Sequence, residues 1–402
     1  MAWLSGWKHR VKLTIDSGVI DTANLSNFPI LLYISTDSGK TSKDISFVFD
    51  ELASDSNRKK IAVTTSDGTT ECYVEIERWD DANEKAWLWV KVPTVSYTED
   101  TDLYLYYDAN HADNTTHVGD TNSTPAENVW DSNFKMVQHM RDATTSTITD
   151  STSNNNDGTK GAASNPSEVA AKIDKGQNYN ANTETIQMGD VLDFEYNQPF
   201  TIEAWGKHSV ANRISQIVSK VEATGNYRGW SLWKWNSSYG HFMELSLTNT
   251  SALEVCVYGS TALNDNAWHY LAGSYNGNHL ASGVALYVDA VRETEVTRKN
   301  NLGTNTTVSA ATLAIGNRDT PATHNQAWDG DLDEIRVSNV ARTAGWIKAS
   351  YYSGADNLLT WGSEESGGWA NIAKIQGVNA TDLKLVNGVA VADIAKVNGV
   401  AV

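Results

Sequence analysis

The sequence predicts an all-β protein: two antiparallel β-sandwiches over residues 1–125 and 126–366, the second a jelly roll, and a short β-hairpin repeat tail over 367–402. Three observations carry that prediction. Many short segments alternate apolar and polar residues with period two, as half-buried strands do. Stretches of Ser, Asp, Asn and Gly with turn chemistry separate them. Residues 372–402 then repeat with a period of eleven.

In the first unit, Val11, Leu13 and Ile15 fall on one face of segment 8–15, while 28–34 is a continuous apolar run suited to a strand covered on both sides. Segments 72–76, 86–92 and 102–107 continue the pattern, and Thr65-Ser66-Asp67-Gly68 is one of the intervening turns. Residues 110–128 carry no apolar pattern and read as a linker. The second unit begins near Trp130, with its clearest strands at 200–205, 229–235, 243–247, 253–258, 268–275, 284–288, 311–315 and 332–337. Such a series of short strands fits two sheets that bury aliphatic and aromatic side chains between them. In the tail, 372–382, 383–393 and 394–402 align without a gap. Asn387-Gly388 and Asn398-Gly399 sit between β-branched runs, a hairpin signal because both turn residues take positive φ. Each copy reads as strand, turn, strand, and three copies have too little core to stand alone, so docking is expected.

Composition removes several function classes. The 402 residues hold 31 Lys plus Arg against 49 Asp plus Glu, a net charge of −18, and the longest basic run is Arg58-Lys59-Lys60, so no nucleic-acid partner is expected. Cys72 and Cys256 are the only cysteines, which excludes a disulfide-dense scaffold and a cysteine-rich zinc site and reads as two core thiols. The first ten residues lack the apolar segment of a secretory signal, and no run approaches a membrane span, so neither signal peptide nor membrane insertion is expected. Yet the 15 Trp and 16 Tyr against 6 Pro suit a β-rich surface protein.

Residues 1 to 120 resemble a bacterial and phage domain of unknown function that opens on a Trp-x-x-Arg motif and often precedes laminin-G-like domains. The matches are Trp7-Lys8-His9-Arg10, Asn27-Phe28-Pro29-Ile30-Leu31-Leu32, the strand Ala86-Trp87-Leu88-Trp89-Val90-Lys91-Val92-Pro93 and Thr101-Asp102-Leu103-Tyr104-Leu105-Tyr106-Tyr107. The resemblance implies a β-sandwich associated with surface or virion proteins. Residues 130 to 365 resemble the concanavalin-A-like, laminin-G-type lectin superfamily, through the loop of residues 150–159, Phe200-Thr201-Ile202-Glu203-Ala204-Trp205, Trp268-His269-Tyr270 and Trp328-Asp329-Gly330-Asp331-Leu332-Asp333-Glu334-Ile335. That fold hosts lectins, glycosidases and interaction modules alike. The tail resembles repeats of phage structural proteins.

Four constellations bear on chemistry. The loop of residues 150–159 is rich in hard oxygen donors of the kind calcium prefers. In laminin-G-like proteins such a loop joins an acidic strand, which implies Asp150, Asn156, Asp157, Asp333 and Glu334 as candidate Ca2+ ligands. A solvated turn without metal is the alternative. Asp329, Asp331 and Asp333 alternate and invite comparison with glycosidase carboxylates, but on a regular strand Glu334 points away from Asp333, and the face lacks a Glu. His139, His208, His241 and His269 sit in unrelated contexts and read as structural, and no elbow or nucleotide loop is present, so neither nucleophile nor organic cofactor is expected. Trp233, Trp235, Asn236 and Tyr239 form the candidate sugar platform, with Trp233 and Trp235 on the face opposite Trp230 and Leu232. Packing of all three Trp residues into the core is the competing reading.

The expectation is a non-enzymatic virion or surface structural protein, such as a phage capsid decoration, fibre or tail-associated adhesin, released by lysis to the virion or extracellular surface. Its lectin-like domain would bind glycans or a host cell surface weakly, and its tail would contact other virion subunits, with a homo-oligomer, a trimer above all, as the assembly. The alternatives are a polysaccharide-degrading hydrolase or depolymerase, and a purely architectural module.

Overall fold

A computed structural model describes residues 2–144, 146–161, 165–223, 225–318 and 326–366, together with the backbone of six two-residue strands between 374 and 401. Four antiparallel-dominated sheets build two sandwiches. The first sandwich packs a five-stranded sheet, ordered Leu359–Ser366, His9–Ile15, Thr101–Tyr107, Ile61–Thr65 and Glu71–Cys72, against a four-stranded one of Leu25–Ile34, Lys85–Val95, Val74–Asp80 and Val118–Asp120. The second packs a nine-stranded sheet against an eight-stranded one.

Two expectations about boundaries give way. Strand Leu359–Ser366, assigned by sequence to the second unit, pairs with His9–Ile15 in the first sandwich, matching Ile15 to Leu359 and Arg10 to Glu365. Its apolar residues Leu359 and Trp361 enter the first core, which would otherwise lie open along that edge. Residues 110–128 are not a free linker either. Val118–Asp120 adds a parallel strand to Val74–Asp80, and Thr124–Glu127 forms one helical turn with Ala126 buried.

The continuous apolar run at 28–34 is covered on both sides, as its pattern requires. The strand is at the edge of its sheet, and helix Ala344–Gly354 covers that edge: its Trp346 meets Phe28 edge-on at 4.8 Å and its Ser353 hydroxyl accepts from the Leu31 amide at 2.8 Å. The Trp-x-x-Arg motif also has a structural reading. Arg10 lies over the rings of Trp3 and Tyr104 at 4.2 and 4.1 Å and pairs with Glu365 at 2.7 Å, which ties the chain start to the closing strand. Both cysteines are free and buried, as expected.

What positions the functional surface is the contact between the sandwiches. Inside the second one, Ile202, Leu232, Leu245, Leu271, Leu286, Ile335 and Val337 form its own core. Trp205, Tyr270 and Tyr287, on the outer face of the eight-stranded sheet, instead share a core with Trp89, Val92 and Leu88 of the first sandwich. The eight-stranded sheet is therefore covered on both faces, and the outer face of the nine-stranded sheet is left to solvent. In the tail, Ile375 pairs with Val378, Val386 with Val389 and Val397 with Val400, one short hairpin per repeat. The Asn-Gly turn residues themselves lie outside the described residues.

Candidate functional site: an aromatic face on the nine-stranded sheet

Strand Gly229–Lys234 lies at the centre of the nine-stranded sheet, between Ser215–Val221 and Met243–Thr250. Alternation sends Trp230 and Leu232 into the core and Trp233 outward. Trp235 continues on the outer side just past the strand. Both outer tryptophans are half-buried, and their rings lie 4.4 Å apart at 47°. The chain then turns through Ser237–Tyr239 and returns Tyr239 onto Trp235 at 4.2 Å, with Tyr258 edge-on to Tyr239 at 5.3 Å.

Two residues set that turn. Asn236 caps it by accepting from the Ser238 amide at 3.0 Å, so this residue, expected to face a ligand, positions Tyr239 instead. Gly240 takes φ +64, where an added Cβ would lie 2.3 Å from the Phe242 ring. Beneath the rings, buried Glu244 accepts from Trp235 Nε1 at 2.8 Å and from Arg298 at 2.7 and 2.9 Å in a bidentate pair. The Arg298 guanidinium also lies 5.4 Å over the Trp235 ring.

Beside the rings runs a groove of about 180 Å³, lined by Ser231, Trp233, Ser246, Thr248, Glu254 and Arg298 among others. Tyr227, 39% exposed and stacked against Arg318 at 5.0 Å, stands on its margin and was missed by the sequence reading. Its only signal was an aromatic residue in a Gly-Asn turn before the platform strand. The groove thus combines apolar ring faces with hydroxyl, carboxylate and guanidinium groups.

The candidate calcium ligands do not come together. Asp150 is fully buried and its carboxylate already accepts from Val137 N, Thr152 N, Thr152 Oγ1 and Asn156 N at 2.8–3.0 Å. Asp157 accepts from the Asp150 amide at 2.8 Å, and Asn156 donates to the Lys135 carbonyl at 2.7 Å. The loop is closed by its own hydrogen bonds, which engage oxygens of Asp150 and Asp157. Asp333 and Glu334 lie elsewhere, in the contact between the sandwiches.

There the strand Gly330–Ser338 is irregular. It pairs with Lys175–Tyr179 along Gly330–Leu332 and with Phe134–Gln138 from Ile335 onward, and its register against Phe200–His208 shifts between Asp333 and Arg336. At the switch Glu334 takes φ +50. The bulge turns Glu334 to the same outer side as Asp333 and Arg336, which corrects the expectation that Asp333 and Glu334 point apart. Glu334 then meets His139 Nδ1 at 2.5 Å and Arg336 at 2.6 Å, with Glu75 and Glu77 within 3.5 Å of the same imidazole. Burial alone would lower the His139 pKa, but Glu334, Glu77 and Glu75 hold it well above the usual histidine range. Burial pushes the Glu77 carboxyl up to about 8. His139 is therefore no isolated core histidine.

The three aspartates of the ladder have separate partners. Asp329 accepts from Ser209 Oγ at 2.7 Å, Asp331 from Asn178 Nδ2 at 2.6 Å and buried Asp333 from the Ile173 amide at 2.7 Å, so each is engaged separately. His208 is buried against Ser215, and His269 pairs with Asp289 at the end of its strand.

Two family models match parts of the chain. Residues 180–348 match the concanavalin A-like lectin/glucanases superfamily. Residues 57–160 match a domain of unknown function, DUF2341, a segment that includes both Glu77 and His139. The lectin-like match contains Trp233, Trp235 and Tyr239, and so assigns the aromatic face to the lectin-like sandwich. None of the curated proteins compared matches the chain. Among solved structures, the binding domain of Paraclostridial mosquitocidal protein 1 is 13% identical with a TM-score of 0.43, over 55% of this chain and 52% of that one. The binding domain of botulinum neurotoxin serotype G is 12% identical with a TM-score of 0.42, over 55% and 51%. Domain 4 of a Geobacillus stearothermophilus extracellular arabinanase, solved with arabinotriose, is 17% identical with a TM-score of 0.36, over 54% and 96%. The chain thus spans about half the length of the two toxin binding domains. No helix among the described residues is long and apolar enough to cross a membrane.

Proposed function

We propose that the chain is a non-catalytic glycan-binding protein whose ligand lies across Trp233, Trp235 and Tyr239 and extends into the adjoining groove. The observation that carries this reading is an aromatic cluster held half-exposed on the open sheet face. Pyranose rings offer apolar C–H faces that aromatic side chains cover, while Ser, Thr, Glu and Arg groups beside them satisfy hydroxyls. The match of residues 180–348 to a lectin and glucanase superfamily supports the same reading. Binding without hydrolysis is favoured because the acidic groups here are tied up: Glu244 is clasped by Arg298, and Glu254 pairs with Lys299 at 2.5 Å. A glycosidase needs two carboxyl groups free to exchange protons with the substrate.

The reading extends to location and assembly. We place the protein on a virion or cell surface as a multi-copy adhesin. Supporting this are the acidic, aromatic-rich composition and the tail, whose hairpins are two-stranded and so leave edges for pairing with another subunit, a homotrimer being the simplest arrangement.

A glycan array tests the central part. Wild-type protein is expected to bind a defined subset of glycans without releasing reducing ends, and Trp233→Ala to lose that binding while its melting temperature stays within about 2 °C, the shift expected of a surface change in a chain this large. Reducing-end release would assign hydrolysis instead. Deletion of residues 371–402 is expected to lower the oligomer mass; an unchanged mass would remove the tail from assembly.

A further inference from the structure

The most unusual chemistry lies in the contact between the sandwiches. Glu77 comes from the second-layer strand Val74–Asp80 of the first sandwich, His139 follows strand Phe134–Gln138, and Glu334 is delivered by the bulge of Gly330–Ser338. All three are at least 95% buried. Their ligand-type atoms lie within 4.8 Å of one another, the one such grouping of three among the described residues.

We propose that Glu77, His139 and Glu334 bind one divalent first-row transition ion, Zn2+ first among them, which fastens the two sandwiches together. One imidazole nitrogen with two carboxylate oxygens is a borderline donor set that suits such an ion better than calcium. His139 Nδ1 is hydrogen-bonded to Glu334 Oε1 at 2.5 Å and faces Glu77 Oε2 at 3.5 Å, so the ion takes the place of the proton in the first pair, which opens toward the roughly 3.3 Å that separates two donors on one tetrahedral ion.

Independent observations point to a cation. Glu77 Oε1 is a buried oxygen without a hydrogen-bond partner, an arrangement that costs free energy unless something occupies it. Around His139 three carboxylates, Glu75, Glu77 and Glu334, gather beside the guanidinium of Arg336, an anionic setting in which an ion can take the place of a bound proton. Both glutamates also have the outer partner that metal ligands commonly require, and the remaining imidazole nitrogen faces a carboxylate. Trp89 donates to Glu77 Oε2 at 2.8 Å, Arg336 donates to Glu334 at 2.6 Å, and Glu75 lies 3.4 Å from the remaining imidazole nitrogen. A cleft of about 310 Å³ floored by Glu77 and His139, with Thr121 and Arg141 on its walls, gives an ion a way in. The set differs from the calcium candidates of the sequence: it keeps Glu334 and replaces the loop oxygens with Glu77 and His139.

The test uses the full chain, stripped with a chelator and titrated with Co2+ and then Zn2+. One equivalent of Co2+ is expected to give a visible absorption band that Zn2+ displaces, with a rise in melting temperature. The zinc X-ray absorption spectrum should show one imidazole among oxygen donors. Glu77→Gln, which still accepts from Trp89, should weaken binding at least about tenfold with an unchanged circular dichroism spectrum. A Co2+ spectrum no different from the aqueous ion, a zinc shell with several imidazoles, or a Glu77→Gln protein that titrates like wild type would each overturn the proposal, leaving a proton-sharing ion-pair network. The wild-type spectra decide even if the variant does not fold.

Discussion

Two regions of the molecule use the same ingredients to different ends. On the open face, Trp233 and Trp235 sit over a Glu244–Arg298 pair. Between the sandwiches, Trp89 and Trp130 sit over Arg336, which pairs with Glu334, and the guanidinium lies 4.2 Å from Trp89 against 5.4 Å for Arg298 and Trp235. The difference is charge balance and access. The outer pair has one cation for one buried anion and leaves its aromatic rings to solvent. The inner group is buried at the foot of a cleft and holds more carboxylates than cations, which marks it for an ion or a proton. Burial of tryptophan beside arginine thus does not by itself define a binding surface; the partners of each polar atom do.

Breaking the inner pair should have the largest effect. Arg336→Met leaves Glu334 only its His139 contact and removes a cation from an already acidic group, and a loss of about 3–5 kcal/mol in chemical denaturation is expected. The equivalent change outside, Arg298→Met, leaves Glu244 buried but near water, and roughly 2 kcal/mol is expected. Equal losses would erase the contrast. Trp361→Ala, on the strand that closes the first sandwich, should cost about 3 kcal/mol and make the first sandwich the earlier to unfold, read by hydrogen exchange along His9–Ile15.

A smaller effect separates the two sorts of buried histidine. His139 lies among carboxylates, whereas His208 lies against Ser215 and Trp328 with Lys234, Arg213 and Asp329 nearby, and burial lowers its pKa to about 4. The unfolded chain takes up that proton near the ordinary 6.5. The folded state is therefore penalised as pH falls from about 6.5 toward 4, and stability should decline over that window. His208→Gln should flatten this part of the acid slope; an unchanged slope would remove His208 as its source.

The aromatic face was legible because strand alternation is local: Trp230, Leu232 and Trp233 already distribute themselves between two faces in the sequence. The strands at 253–258, 268–275 and 284–288 were legible for the same reason. Strand Ser215–Val221 was not, because all of it is buried and its Ser, Gln and Lys residues break the apolar pattern. The closing strand was hidden because its partner is more than 340 residues away. The inner cluster depended on a bulge that places a glutamate at φ +50, which no propensity favours. A trace was present nonetheless: Glu75 and Glu77 alternate with the apolar Val74 and Ile76 in one strand, a costly arrangement unless something answers the charge.

The central claim, that the open aromatic face holds the glycan, is tested most directly by following the indole N–H resonances of the 15 tryptophans during titration with an oligosaccharide that binds. The resonances of Trp233 and Trp235 are expected to shift in proportion to occupancy, while those of Trp89, Trp130 and Trp230 stay fixed. Shifts confined to the inner tryptophans, or binding with Trp233 and Trp235 unmoved, would contradict the account.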